Sequence, residues 1–132
     1  MTDDALAPWH AHVYFTQADR DGADALHRQL GALKDSGDLP DLLFVGRPCE
    51  GPAGPHPIPQ YEIHFHQRAL PQLMPLLRAS GLRVLVHPLT HDDLADHTTL
   101  AQWIGEPLAL DLATLDPPGV NQGFARFGKS DF

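Results

Sequence analysis

The chain alternates from residue 8 onward, so that read as a strand, residues 8–15 place Ala11, Val13 and Phe15 on one face and His10, His12 and Tyr14 on the other. Residues 60–66 repeat the pattern, with Tyr61, Ile63 and Phe65 opposed to Glu62, His64 and His66. Residues 82–87 do so once more, Val84 and Val86 facing the helices and Arg83, Leu85 and His87 facing away. A short apolar run at 41–46, bounded by Pro40 and by Arg47-Pro48, reads as a fourth strand.

Between the strands the period changes. Ala23, Leu26, Leu30 and Leu33 recur at helical spacing, predicting a helix over 17–34 that Thr16-Gln17-Ala18-Asp19 opens as a capping box with Asp in place of Glu. Leu70, Leu73 and Leu77, with Leu76 beside them, predict a second helix over 70–80, with Pro71 in its first turn, Pro75 shortening or kinking it, and Gly81 at its left-handed end. Thr90-His91-Asp92-Asp93 has the form of another capping box, predicting a third helix over 92–104 with Leu94, Ala101 and Ile104 on one face and Gly105 past its end. Leu108, Leu110 and Leu112 alternate, as an edge strand or a dimer contact would. Residues 1–7 are expected to fray and those from 116 onward to form an irregular tail.

Strand, helix, strand, strand, helix, strand is the order of the ferredoxin-like split βαβ arrangement, an α+β class with two helices on one face of an antiparallel sheet and here a further C-terminal helix. The expectation drawn from it puts the first and third strands side by side and parallel, with the fourth antiparallel beside the first. The loop entering the third strand, residues 48–59, holds five prolines and two glycines. Such a loop is stiff and loses little entropy on ordering, so it can hold His56 in place. His10, His12, His56 and His87 are then expected at one sheet edge on the face no helix covers. Glu62 and His64 lie one strand over, with His97 and Trp103 brought near by the third helix.

Composition narrows the function. A chain of 132 residues fits one domain over 1–132 with its core at about 9–112, and the single cysteine, Cys49, excludes an internal disulfide framework. A formal charge of −8, with nine scattered Lys and Arg, argues against a nucleic-acid partner. No run resembles a signal peptide or a membrane span, so a cytoplasmic protein is expected. The unusual feature is nine histidines, several of them on strands. A lone strand histidine is commonly a hydrogen-bonded structural group, which is how His66 reads in isolation, and His27 and His91 read as solvated. Convergence of several points instead to a metal.

The segments His10-Ala11-His12-Val13-Tyr14-Phe15, Gly54-Pro55-His56-Pro57, Leu85-Val86-His87-Pro88-Leu89-Thr90, and Asp96-His97-Thr98 with Trp103-Ile104-Gly105-Glu106-Pro107-Leu108 resemble the DOPA 4,5-dioxygenase family, in its order and spacing, over roughly residues 9–112. The tail after 116 has no counterpart in that resemblance. The resemblance implies a ferredoxin-like domain, often dimeric, that uses non-haem Fe(II) and O2 to open a catechol ring beside its hydroxyls, the substrate being DOPA or a related catechol such as a caffeate-like acid.

Such cleavage needs an Fe(II) with open positions, and histidines suited to act as base and acid near pH 7. With the resemblance in hand, His12, His56 and His87 are assigned to the metal, His10 to a fourth ligand or the acid/base, and Glu62 to the carboxylate alternative. His64 and Arg47 are assigned to the substrate carboxylate or the reduced oxygen, and His97 to orienting a ligand or to acid/base work. Imidazoles suit Zn and Ni as well as Fe, so either could accompany the purified protein. A non-catalytic metal- or small-ligand-binding module of the same fold, and a zinc hydrolase, are the rival readings; oxygen uptake with a catechol separates both from a dioxygenase.

Overall fold

The computed structural model of the chain describes residues 4–131. Its strands are β1 (Pro8–Tyr14), β2 (Leu42–Val45), β3 (Gln60–His66), β4 (Arg83–Pro88) and β5 (Gln102–Ile104); its helices are α1 (Arg20–Ser36), α2 (Leu70–Ala79) and the short α3 (Asp93–His97) and α4 (Gly123–Arg126). The sheet order is β2-β3-β1-β4-β5, and every neighbouring pair is antiparallel. Among the described residues no helix is long and apolar enough to cross a membrane.

The apolar positions of β1, β3 and β4 form one core with α1 and α2. Ala11, Val13, Ile63, Phe65, Val84 and Val86 pack with Ala23, Leu26, Leu30, Leu73 and Leu77. The other face of the same strands carries the histidines, as the alternation requires. A 3₁₀ turn, Gln17–Asp19, leads into α1, and the Asp19 carboxylate accepts from the Thr16 backbone N–H and, at 3.1 Å, from its hydroxyl. Gly81 takes the left-handed conformation (φ 74°) expected after α2, which accommodates Pro75 within its span.

The direction of β3 corrects the expected topology: β1 and β3 run antiparallel, with Pro8 opposite His66 and Tyr14 opposite Gln60. The crossover through α1 makes β1 and β2 co-directional, and the chain then reverses through 46–59, so β3 opposes both neighbours. The loop entering β3 therefore arrives at the Tyr14 end of β1 rather than the Pro8 end. His56 reaches the histidine face from the side opposite the one expected.

The third helix is also corrected. Asp92, not Thr90, caps α3 by accepting from the Ala95 N–H at 3.0 Å, while the Thr90 hydroxyl and N–H go to Asp96 at 2.6 and 2.8 Å. The helix stops at His97, and residues 102–104 extend along β4, pairing Ile104 with Val84 and Gln102 with Val86. That edge of β4 would otherwise leave a row of backbone groups unpaired. Pairing it outweighs one further turn of helix in a segment that carries Thr98, Thr99, Trp103 and Ile104, all better suited to strand than helix.

Leu108, Leu110 and Leu112 form no strand; Leu112–Thr114 is a 3₁₀ turn with Leu112 exposed. Of the residues expected to fray, 1–3 lie outside the described residues, and Asp4–Leu6 forms a 3₁₀ turn. The tail proves to be structural. It contains α4 and crosses the histidine face, fixed by Asn121 Nδ2 donating to the Thr90 carbonyl at 2.6 Å and by the Gly128 N–H donating to His64 Nδ1 at 2.9 Å. Gly46 is matched to it: a Cβ there would lie 2.2 Å from an Asp131 carboxylate oxygen.

The packing predicts a contrast in chemical denaturation. Leu77→Ala, in the core, should lose about 2–5 kcal/mol, whereas Leu112→Ala, exposed, should stay within about 0.5 kcal/mol of the parent; equal losses would contradict the assignment of the core.

Candidate metal centre

Cross-strand register builds the centre from two rows. In the first, His10 of β1 lies between His64 of β3 and His87 of β4; in the second, His12 lies between Glu62 and Leu85. Directly opposed side chains on one face stand about 5 Å apart at Cβ, with diagonal ones still in reach of an imidazole. His87 can therefore turn toward both His10 and His12. All five polar side chains are buried, His12 at 2 % and His87 at 1 % exposure.

The finer geometry lies in the ring nitrogens. His87 Nδ1 lies 2.7 Å from the Pro88 carbonyl, so it must donate, and Nε2 is left with a lone pair. His12 Nδ1 faces oxygen too, Gln60 Oε1 at 3.2 Å and Glu62 Oε2 at 3.8 Å, which places its proton there and frees its Nε2 as well. These two Nε2 atoms lie 3.1 Å apart. With no proton between them the lone pairs repel, and a cation between them removes that repulsion. A ring nitrogen of His10 completes a trio with His12 and His87 in which the donor atoms lie within 4.8 Å of one another, and His10 Nε2 has no hydrogen-bond partner. A buried orphaned nitrogen beside two facing lone pairs fits a metal ion held by neutral imidazoles.

His56 is brought to the cluster but in a different posture. Its loop is closed by the Ala53–His56 backbone bridge and by the pairing of Cys49 with Gln60, and its Nδ1 lies 2.6 Å from the Tyr14 hydroxyl. Burial raises the Tyr14 pKa, so the phenol keeps its proton and donates it to Nδ1. The His56 proton is then on Nε2, which makes that edge a donor. The ring nonetheless lies 4.1 Å from the His12 ring, centroid to centroid.

Glu62 sits on the Nδ1 side of His12, and its other oxygen lies 3.2 Å from His64 Nε2 without hydrogen-bond alignment. His10, Glu62 and His64 form a second close trio, but His64 Nδ1 accepts from Gly128, so its remaining proton is on Nε2 and that edge offers no lone pair. His66 is turned aside to Asp41 at 3.0 Å. Arg47 is exposed and lines a separate pocket with Pro48, Cys49, Gln60 and Asp131. His27, read as solvated, is half-buried and donates to the Gly46 carbonyl at 2.8 Å; His91 is exposed.

Electrostatics divides the histidines into two kinds. Burial, reinforced by the neighbouring imidazoles, holds His10 and His12 well below the usual range and brings His56 and His87 to about 3. His97 goes the other way. Burial opposes its charge, but the Asp93 carboxylate at 3.4 Å and carbonyl at 2.8 Å outweigh it and raise its pKa. Its ring lies 4.4 Å from that of His87. Asp93 thus favours the charged form at His97, while burial favours the neutral form at the imidazoles beside it.

The trio opens onto a cleft of about 240 Å³ lined by His10, His12, His87, His97 and Asp93 and, from the tail, by Asp116, Asn121, Gln122, Gly123 and Arg126. Phe127 lies against its rim, 5.6 Å from His64 and 6.1 Å from His10 with all three rings nearly parallel. The alternation of β1, β3 and β4 was enough to find the histidines. Phe127, Arg126 and the clamp from Gln60 had no signal of that kind, because each acts through a contact across the chain.

Comparison with known proteins agrees over most of the chain. The profile of the Dopa 4,5-dioxygenase family matches residues 9–114. A DOPA 4,5-dioxygenase of Amanita muscaria is 34 % identical over 87 % of this chain and 52 % of its own length, and an uncharacterised 21.2 kDa protein of Botryotinia fuckeliana is 30 % identical over 77 % of this chain and 60 % of its own. The chain thus spans little more than half the length of these curated relatives. A crystal structure of a candidate dioxygenase from Nostoc punctiforme superposes with a TM-score of 0.72 at 34 % identity, covering 86 % of this chain and 95 % of that one.

The neutral histidines predict acid lability of the metal-free protein. Their folded pKa values lie below the unfolded value of 6.5. For His56 and His87 the unfolded chain therefore binds more protons between that value and about 3, with His10 and His12 acting in the same direction, and stability falls as pH falls through the window, by up to about 1.4 kcal/mol per pH unit for each imidazole. Denaturation midpoints followed from pH 7 to pH 4 should decline steeply, and a flat profile would contradict the buried neutral cluster.

Proposed function

Because the chain belongs to the Dopa 4,5-dioxygenase family, we propose that it is a non-haem Fe(II)-dependent extradiol dioxygenase that opens the ring of DOPA or a related catechol with O2. In this reaction the carbon–carbon bond beside the two hydroxyls breaks and both oxygen atoms remain in the product, one in a carboxylate and one in an aldehyde. The observation that carries the reading is the 3.1 Å approach of His12 Nε2 and His87 Nε2, each with its Nδ1 held by oxygen.

His10, His12 and His87 hold the metal in this reading, with His56 and Glu62 immediately behind His12. Bound iron supplies the redox link between catechol and oxygen that neither makes alone. The chain's own residues do the rest. Gln60 and the Pro88 carbonyl orient two of the ligands, and Asp93 favours protonation of His97 at the wall of the cleft, a position suited to giving a proton to a developing oxyanion. His56 and His64 present N–H edges suited to oxygen atoms. The cleft, smaller than the roughly 300 Å³ at which ordinary small-ligand pockets begin, takes one substituted ring. The βαββαβ core is read as the ferredoxin-like split βαβ arrangement, its uncovered sheet face bearing the centre, and residues 1–132 as one domain.

Anaerobic reconstitution with Fe(II), followed by metal analysis and oxygen uptake on catechols, tests this. The parent should bind one iron and consume O2 with formation of a yellow semialdehyde. His12→Ala and His87→Ala should lose iron affinity by about a hundredfold or more, while His66→Ala, whose ring is turned to Asp41, should keep it. Full iron occupancy in the first two variants would overturn the ligand set; an iron-loaded parent inert toward every catechol would overturn the activity.

A further inference from the structure

The cleft contains a cation that the family match does not reach. Arg126 lies beyond residue 114, where that match ends, and lines the cleft together with His10, His12, His87 and His97. It is half-buried. In a chain with 17 acidic against nine Lys and Arg residues, its guanidinium forms no ion pair with any carboxylate among the described residues. Two carboxylates share the cleft, but both are engaged. Asp93 faces the His97 ring and accepts from the Asp116 N–H at 2.9 Å. Asp116 accepts from the Gln122 N–H at 2.8 Å and from Gln122 Nε2 at 3.0 Å.

The backbone that carries Arg126 is anchored. Its carbonyl accepts from the Lys129 and Ser130 N–H groups at 2.9 and 3.2 Å. Next to it, Phe127 lies along the His10 and His64 rings and Gly128 is tied to His64. His64 thus anchors the segment that carries the cation. A planar guanidinium with free donors, held at the wall of a cleft, is matched by a carboxylate that can accept two of its N–H groups.

We propose that Arg126 binds the carboxylate of the substrate, so that the preferred ring is a catechol bearing an acidic side chain. The identity of the ring rests on the catechol reading above; the side-chain chemistry rests on Arg126. With Asp93 and Asp116 both occupied, no free carboxylate awaits an ammonium group, so the amino group of an amino-acid catechol contributes little.

Four probes of matched ring separate these terms: dihydrocaffeate (carboxylate only), DOPA (carboxylate and ammonium), dopamine (ammonium only) and 4-methylcatechol (neither). Binding is measured by anaerobic calorimetry on the Fe(II)-loaded protein, which needs no turnover, and KM is taken from oxygen uptake. Dihydrocaffeate and DOPA should bind alike and at least about tenfold more tightly than 4-methylcatechol, as a charge-assisted bidentate contact allows, with dopamine the weakest. Arg126→Ala should remove most of that advantage while leaving 4-methylcatechol within about twofold, and Arg126→Lys should restore part of it. Equal weakening of all four probes, or an undiminished advantage in Arg126→Ala, would overturn the assignment. Binding that follows this pattern without oxygen uptake would uphold Arg126 and overturn the dioxygenase reading; failure of dihydrocaffeate to bind the parent would overturn the assignment of Arg126.

Discussion

Two imidazoles that each turn a lone pair toward the other, 3.1 Å apart and sealed from water, are the constraint around which the rest of the site is organised. The arrangement is costly without a cation, and the fold maintains it by fixing the far side of each ring. The Pro88 carbonyl fixes His87, and Gln60 with Glu62 fixes His12. Gln60 is itself held by its backbone pairing with Cys49, so the proline-rich loop that carries His56 also supports a nitrogen it never touches. A stiff loop suits that task, because an oxygen displaced by a fraction of an ångström would release the tautomer.

Burial sets the charge pattern. Removing imidazoles from water favours their neutral forms, which are the forms that bind a metal. Asp93 opposes this at His97, so within one cleft the same residue type is pushed in opposite directions. The tail crossing the histidine face helps enclose the cluster, through the Phe127 ring and the Gly128 N–H, and adds a cation where the trio has none. The segment outside the family match thereby supplies part of the wall of the cleft.

The strands are legible in the sequence because their alternation records which face meets the helices, and that alone places His10, His12, His64 and His87 on one surface. Features that depend on partners distant in the chain were not legible. Residues 92–104 carry helix-capping signals, yet the unpaired edge of β4 draws 102–104 into the sheet. The relative direction of β1 and β3 follows from the reversal through 46–59, which no local pattern announces, and it brings His56 in beside Tyr14 rather than His10. Gly and Pro punctuation made the tail read as irregular; its attachment by one ring and one backbone N–H leaves no periodicity. The same gap hides Arg126, which lines the histidine cleft, whereas Arg47, the cation the sequence singles out, lines a separate pocket.

The most direct measurement is the protonation of the two rings themselves, from nitrogen-15 and proton correlation spectra of the metal-free protein near pH 7. His12 and His87 should both be neutral with the proton on Nδ1, leaving the facing Nε2 atoms bare. A proton on Nε2 of either ring, shared as an ordinary hydrogen bond between them, would contradict it.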